Sequence, residues 1–165
     1  MTAAHARFAG VVAIHQDRVI LVREEHPRWA DPCWSIPSGM VESAETPAEG
    51  AVRELREETG VDVAAEDLRL GSTSSVIAGG TTILAWNFAL EFEEEPVLAV
   101  DDPDAAVQEA RWVAITDAVE WLRAHPWRPL SEPAIAVLTG AAGSGTHWAF
   151  AHPQAHPTIA PAARG

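Results

Sequence analysis

Apolar and polar positions alternate in two rhythms along this chain. Phe8–Ile14 and Val19–Arg23 are short β-rich runs joined by His15-Gln-Asp-Arg18, which predicts a hairpin. Glu24–Trp34 carries two prolines and reads as an irregular loop. Ser35–Gly39 reads as a short strand running into a glycine turn. Leu68–Ile77 and Thr81–Phe92 predict two strands around Ala-Gly-Gly. In the second, Leu84, Trp86, Phe88, Leu90 and Phe92 alternate strictly and share one face, the mark of a strand lying on a core. Ala110–Ile115 is one more short strand.

Three segments switch to the helical period. Thr46-Pro-Ala-Glu49 is a capping box with proline at the first helical position, and Gly60 is a natural stop. Thr116 is expected to cap a second helix running to about His125, stopped by Pro126. Ser131–Leu138 predicts a third, ending at Gly140. This order predicts an α/β domain with helices packed on a mixed sheet rather than a regular βαβ array. From Ala141 the chain is mostly Ala, Gly, Pro and His, which predicts a flexible tail over residues 141–165 after a domain over 1–140.

Composition narrows the function. The chain has 165 residues, 47% of them hydrophobic, enough for one domain with a real core. No apolar run approaches the roughly 18 residues that a membrane span needs. The apolar run near the N-terminus suits a strand better than a signal peptide, and the single cysteine, Cys33, forbids an intrachain disulfide; a cytoplasmic protein is expected. The net charge of −13 argues against a nucleic-acid polymer or an anionic membrane as partner. A phosphate ligand remains compatible if metal ions bridge the two negative partners. All eleven basic residues are arginine, so lysine nucleophiles and P-loop lysines are excluded, and the absence of tyrosine removes one kind of stacking platform.

The concentration of carboxylates is the strongest chemical signal. Five glutamates lie between positions 42 and 57, with a sixth at 58. On a helix advancing about 100° per residue, Glu57, Glu54 and Glu58 fall about 40°, 100° and 140° from Arg53, while Ala48, Val52, Leu55 and Thr59 form the opposite, buried stripe. Two carboxylates about 5 Å apart repel by about 3 kcal/mol at an effective dielectric near 20. Such a face raises a pKa or binds a cation, and oxygen ligands suit Mg²⁺ or Mn²⁺. The plainer alternative is a solvated acidic face with Arg53 paired to Glu49 and Glu57 four residues away.

The spacing adds a second argument. Gly39, Glu45, Arg53, Glu54, Leu55, Glu57, Glu58, Gly60 and Val61 stand at gaps of five, seven, none, none, one, none, one and none. These nine positions resemble the signature of the Nudix hydrolases, and Trp34-Ser-Ile-Pro-Ser-Gly39 and Glu109-Ala-Arg-Trp-Val113 resemble its usual surroundings; the likeness covers residues 7–140. It implies an α/β/α sandwich with a mixed β-sheet. It implies that Glu54, Glu57 and Glu58 bind metal, with a Gly39 carbonyl as a further ligand, and that Arg53 orients the glutamates with Glu45 as its partner. The implied reaction is hydrolysis of a diphosphate bond in a nucleoside diphosphate linked to another group, with Mg²⁺ or Mn²⁺ as cofactor. The general base varies within the family. Glu54 and Glu58 are candidates, as are Glu93, Glu94, Glu95, Asp101, Asp102 and Asp104 of a later acidic loop that otherwise reads as a solvated turn.

Downstream of the box there is no mark of specialisation for NADH, ADP-ribose or coenzyme A, so a nucleoside triphosphate or modified nucleotide is the default substrate. Arg23, Arg28, Trp29 and Trp34 are candidate contacts to base or phosphate. Core packing competes for Trp34 and Trp86, and more strongly for Trp112 and Trp121; Trp29, in polar and Pro-rich surroundings, is the best stacking candidate. His147, His152 and His156 lie in the expected tail, where prolines argue against a zinc site, and Cys33 reads as an incidental thiol. The alternative function is a non-catalytic module on the same fold that binds nucleotide metabolites, against which the intact box argues. Relatives are commonly dimers, so the likeness leaves a homodimer open, although no segment marks an interface.

Overall fold

The computed structural model describes residues 5–162. Its strands are β1 (His5–His15), β2 (Arg18–Glu24), β3 (Cys33–Ser35), β4 (Ser38–Met40), β5 (Arg69–Ala78), β6 (Thr81–Glu91), β7 (Val107–Ala114), β8 (Thr146–Phe150) and β9 (Thr158–Ala160). Its helices are α1 (Pro47–Thr59), α2 (Ile115–Arg123) and α3 (Arg128–Thr139). All strands join one mixed sheet in the order β3-β2-β1-β6-β5-β8-β9, with β4 also on β1 and β7 also on β2. The hairpin β1–β2 stays paired only near its turn, at Ile14–Val19 and His15–Arg18. Beyond that the strands part. β4 then lies against Phe8–Gly10, and β7 runs along the whole of β2. Gly10 permits this, because a β-carbon there would stand 2.7 Å from Cβ of Ser38.

Alternation along β1 and β2 divides the core in two. Ala9, Val11, Ala13 and Ile20 face α1 with Phe88 and Leu90, packing on Ala51 and Leu55. Val12, Val19 and Leu21 face the other way, onto Ala118 and Leu122 of α2 and Ala134 and Leu138 of α3. The result is an α/β/α sandwich. Trp86 and Phe92 join the α1 cluster as their alternation requires, whereas Leu84, nearer the start of β6, lies outside it.

Helix α1 begins and ends where the sequence places it. Thr46 accepts a hydrogen bond from the Glu49 amide, and the Glu49 carboxylate accepts from the Thr46 amide at 2.7 Å. Gly60 takes φ +75°, and a β-carbon there would meet the Ala99 carbonyl at 2.6 Å, so glycine is required twice over. The buried side of α1 differs in detail from the wheel. Gly50, Ala51, Leu55, Glu58 and Thr59 are buried, while Ala48 and Val52 are half-exposed. The stripe is turned toward Glu58 because β4 packs there.

The other helices start earlier than expected. Thr116 caps nothing: it sits in the first turn of α2, whose N-cap is Ala114. Helix α3 opens at Arg128 rather than Ser131, with Pro129 in its first turn. Pro133 lies inside it and has no amide hydrogen for the Pro129 carbonyl. The Ser74 hydroxyl fills that vacancy, donating to the Pro129 oxygen at 3.1 Å and pinning α3 to β5.

Two strands lie within residues 141–165, the stretch expected to be a flexible tail. β8 pairs in parallel with β5, and β9 pairs with β8. Trp148 and Phe150 are buried with Val76 and Ala136, and the His147 ring lies between the Thr73 and Ser75 hydroxyls at 2.8 and 3.1 Å. The signal was present: Thr146, Trp148 and Phe150 alternate inward, but the run is only five residues long in a Gly- and Pro-rich context.

Candidate active site

The site is organised by one guanidinium. Arg53 donates from Nε to Glu45 Oε1 at 2.7 Å and from Nη2 to Glu45 Oε2 at 3.1 Å, a two-pronged contact. Its Nη1 reaches Glu54 Oε1 at 2.8 Å and Glu57 Oε2 at 3.2 Å, and Nη2 also donates to the Met40 carbonyl at 2.8 Å. The Glu45 carboxylate is itself held by the Glu42 amide at 2.9 Å. Hydrogen bonding to Arg53 holds the Glu45 carboxyl below the usual range and raises the Arg53 pKa further. Glu49 serves the helix cap, so the alternative of a simple ladder of Glu49–Arg53–Glu57 pairs is not what forms.

Glu54 and Glu58 are the strained pair. Burial raises the Glu54 pKa despite the hydrogen bond from Arg53, with repulsion from Glu57 and Asp102 adding to it. Glu58 is only 5% exposed, and burial, then repulsion from Glu24 and Glu54, pushes its pKa well up. Its Oε2 accepts the Ser38 amide at 2.9 Å. The expectation that Glu58 faces away from the buried side of α1 is therefore corrected: it points inward, beneath β4. Gly39 lies directly over Glu54, since a β-carbon at Gly39 would overlap the Glu54 carboxyl group.

Among the described residues, no three carboxylate, imidazole or thiol side chains are drawn together tightly enough to hold a metal ion as they stand. Arg53 holds Glu54 and Glu57 to itself, and the Ser38 amide holds Glu58. The donor set nevertheless suits a hard divalent cation. It consists of oxygens only, two of its carboxyls are kept from easy ionisation by burial and mutual repulsion, and a glycine leaves the approach to Glu54 clear.

The acidic loop between β6 and β7 is not uniformly solvated. The Ala99 and Asp101 amides donate to the Thr59 and Glu57 carbonyls at 2.8 and 2.9 Å, satisfying the free end of α1. This brings Asp102 into electrostatic reach of Glu54 and Glu58, while its own carboxylate caps the loop through the Asp104, Ala106 and Val107 amides. Glu95 is elsewhere, paired with Arg18 at 2.5 Å.

Beside Gly39 opens a cleft of about 370 Å³ between β1, β5 and β6 on one side and the α2–α3 connection on the other. Phe8, Ile83, Trp127 and Leu130 give it apolar walls; Asn87, His125 and Glu24 supply polar groups. Arg28 and Trp29 line it, with Trp29 packed on the His26 and His125 rings. Arg23 and Trp34 do not line it. Arg23 reaches Gln108 at 3.3 Å, and Trp34 packs on Trp121 with Arg111 over its ring. The Cys33 thiol, on the same edge, has its pKa raised by burial and by Glu24 and Asp31, which leaves little thiolate.

Two cleft residues were missed by sequence reasoning. Glu24 closes β2, where the register against β7 shifts between Arg23 and Glu24, and such a bulge re-aims a side chain. His125 follows α2 in a His-Pro pair that reads only as a helix stop. Neither carries a local signal, because each becomes meaningful only when the sheet and the α2–α3 connection meet.

A sequence profile of the NUDIX domain matches residues 4–136. The mouse (Mus musculus) ADP-sugar pyrophosphatase is 43% identical over 47 residues, 28% of this chain and 22% of that protein. The likeness thus spans about a fifth of that relative's length. A NUDIX hydrolase from Nitrosomonas europaea superposes with TM-score 0.65 at 23% identity, covering 85% of this chain and 92% of that one. The MutT protein from Bacillus halodurans does so with TM-score 0.64 at 17% identity, covering 97% and 99%. At these identities the solved structures speak for the fold.

Proposed function

The chain belongs to the Nudix family, and from that premise we propose that it is a divalent-metal-dependent pyrophosphohydrolase acting on a small nucleotide-derived diphosphate. The observation that carries this reading is the pair Glu54, lying under Gly39, and Glu58, held by the Ser38 amide, both pushed up in pKa, with Ser38 and Gly39 themselves lining the cleft.

In this reading Glu54, Glu57 and Glu58, with the Gly39 carbonyl, hold Mg²⁺ or Mn²⁺. The bound ion supplies neutralisation of the diphosphate oxygens and activation of the attacking water. Arg53 positions the carboxylates and Glu45 positions Arg53. The Ser38 amide occupies Glu58 Oε2 and Arg53 occupies Glu54 Oε1, which leaves Glu58 Oε1 and Glu54 Oε2 to the ion; the proton of the attacking water goes to whichever of the two does not hold it, or to an acid of the β6–β7 loop. Trp29 and Arg28 flank the substrate in the cleft. The net charge of −13 favours a small nucleotide over a nucleic-acid polymer. A nucleoside triphosphate or modified nucleotide remains the default, and the mouse relative's name adds ADP-sugars to the candidates.

The test is phosphate, pyrophosphate or monophosphate release from canonical and oxidised nucleoside triphosphates, ADP-ribose, NADH, dinucleoside polyphosphates and nucleotide sugars, with and without Mg²⁺ or Mn²⁺. Metal-dependent release from one class, absent in Glu58→Gln, is expected. Silence across the panel with metal binding intact would replace this reading with a nucleotide-binding regulatory module.

A further inference from the structure

Strands β8 and β9 lie beyond the stretch that the family profile matches. They nevertheless reach back to the cleft. Trp148 and Phe150 of β8 are buried with Val76 of β5 and Ala136 of α3, and Ile83 and Trp127 pack against that cluster. Val76, Ile83 and Trp127 also line the cleft. The cleft and the C-terminal extension thus share three side chains, one of them an aromatic wall.

The loop after β8 adds a clasp. Gln154 donates from Nε2 to the Pro126 carbonyl at 3.1 Å, and its own carbonyl accepts from Arg128 Nη1 at 2.9 Å. The two anchored residues straddle Trp127. The Arg128 guanidinium is steadied in turn by Glu132, which accepts from Nε at 2.6 Å. Both clasp bonds are exposed, so each contributes little to stability. Burial of Trp148 and Phe150 supplies the holding energy, and the clasp sets where the α2–α3 connection stands. Placement matters in a binding site, where walls must stand within about 0.5 Å of the productive geometry.

We propose that Gln154 is a positioning residue for the cleft: it fixes the connection over residues 126–128, and with it Trp127, so that the C-terminal extension sets how tightly the cleft holds its ligand. This rests on the proposed reading of the cleft as the seat of a nucleotide-derived substrate, and gives residues outside the matched domain a part in binding it.

The experiment compares Gln154→Ala with a variant that loosens the same extension elsewhere. His147 anchors β8 through the Thr73 and Ser75 hydroxyls, and Thr73 lies on the opposite face of β5 from Ser74 and Val76, which line the cleft. Thr73→Val removes one of those anchors. With the substrate that gives metal-dependent release, Gln154→Ala should raise KM by about 3- to 10-fold with kcat little changed. Gln154→Lys, which keeps a donor at its tip, should recover part of that loss, and Thr73→Val should leave KM at the wild-type value. In fluorine NMR of protein labelled with 5-fluorotryptophan, the Trp127 line is identified by its loss in Trp127→Phe. It should move or broaden in Gln154→Ala and stay in place in Thr73→Val. A urea titration shows that each variant is folded. An unmoved Trp127 line or an unmoved KM in Gln154→Ala would overturn the assignment. So would an equal rise of KM in Thr73→Val, which would make the effect one of general loosening. If nothing in the substrate panel is turned over, the hydrolase reading fails by that result, and AMP affinity in chelator takes the place of KM. AMP that binds wild type and Gln154→Ala equally, or binds neither, would overturn the positioning role separately.

Discussion

The carboxylate face of α1 and the cleft beside it are built on opposite plans. Glu45, Arg53, Glu54, Glu57, Glu58 and Gly39 come from one stretch of about 20 residues, and one helix with its cap sets their geometry. The cleft draws on β1, β2, β5, β6 and the α2–α3 connection, whose residues lie far apart in sequence. In the proposed reading the first plan sets the reaction centre within one stretch of chain, with β4 holding Glu58 through the Ser38 amide. The second leaves the neighbouring surface free to vary with each element that contributes to it. In the proposed reading, chemistry is carried by a motif and selectivity by an assembly.

Glu58→Gln breaks the comparison most sharply. Turnover should fall by about 10²–10⁴-fold while the fold persists, because glutamine can still accept the Ser38 amide. Kinetics with Mg²⁺ alongside a thermal melt would check both halves. Leu55→Ala does the converse from the other side of the same helix. It should remove about 2–5 kcal/mol of stability in a urea titration, leaving turnover per folded molecule close to wild type. Arg53→Lys tests whether the face needs a fork rather than a charge. Lysine cannot grip Glu45 with two prongs while holding Glu54 and Glu57, and Mn²⁺ affinity should drop by about 10–100-fold. On the cleft side, Trp29→Ala should raise KM by about 3- to 10-fold with kcat little changed, the signature of lost stacking away from the reacting atoms.

The smallest effect concerns pH without metal. Glu54 and Glu58 have folded pKa values above the ordinary 4.5. Their contribution to stability is thus present below pH 4.5 and is lost as pH rises through the raised values. Glu45 behaves oppositely, being depressed by Arg53, but it is common to both proteins compared. In chelator, the melting temperature of Glu58→Gln should therefore decline less between acid and neutral pH than that of the wild type. Parallel curves would show that Glu58 ionises without penalty.

What could be read in advance follows the same division. The cap at Thr46 and the stop at Gly60 are short-range, so spacing alone exposed them, whereas the pairing of Arg53 with Glu45, eight residues apart, came only with the family resemblance; spacing pointed to Glu49 and Glu57. The inward turn of Glu58 was not legible, because it depends on β4 folding over α1 and presenting the Ser38 amide. Trp34 and Arg23 were candidates for substrate contact because they flank an irregular loop; what the sequence hid is that β2 and β3 pair there, with Arg23 opposite Trp34 and also opposite Glu109 of β7. Trp29, two residues beyond Pro27, escapes that pairing and faces the cleft. The last two strands were hidden by composition: Thr146, Trp148 and Phe150 alternate properly, but the partner that makes them a strand, β5, lies about 70 residues earlier.

The most direct measurement of the central claim, that the carboxylate face of α1 seats the divalent ion, is an Mn²⁺ titration followed by electron paramagnetic resonance on the wild type and Glu58→Gln. The account expects Mn²⁺ bound by the folded wild-type protein and affinity at least about 10-fold weaker in the variant. Equal affinity in the two proteins would place the ion elsewhere and contradict the assignment.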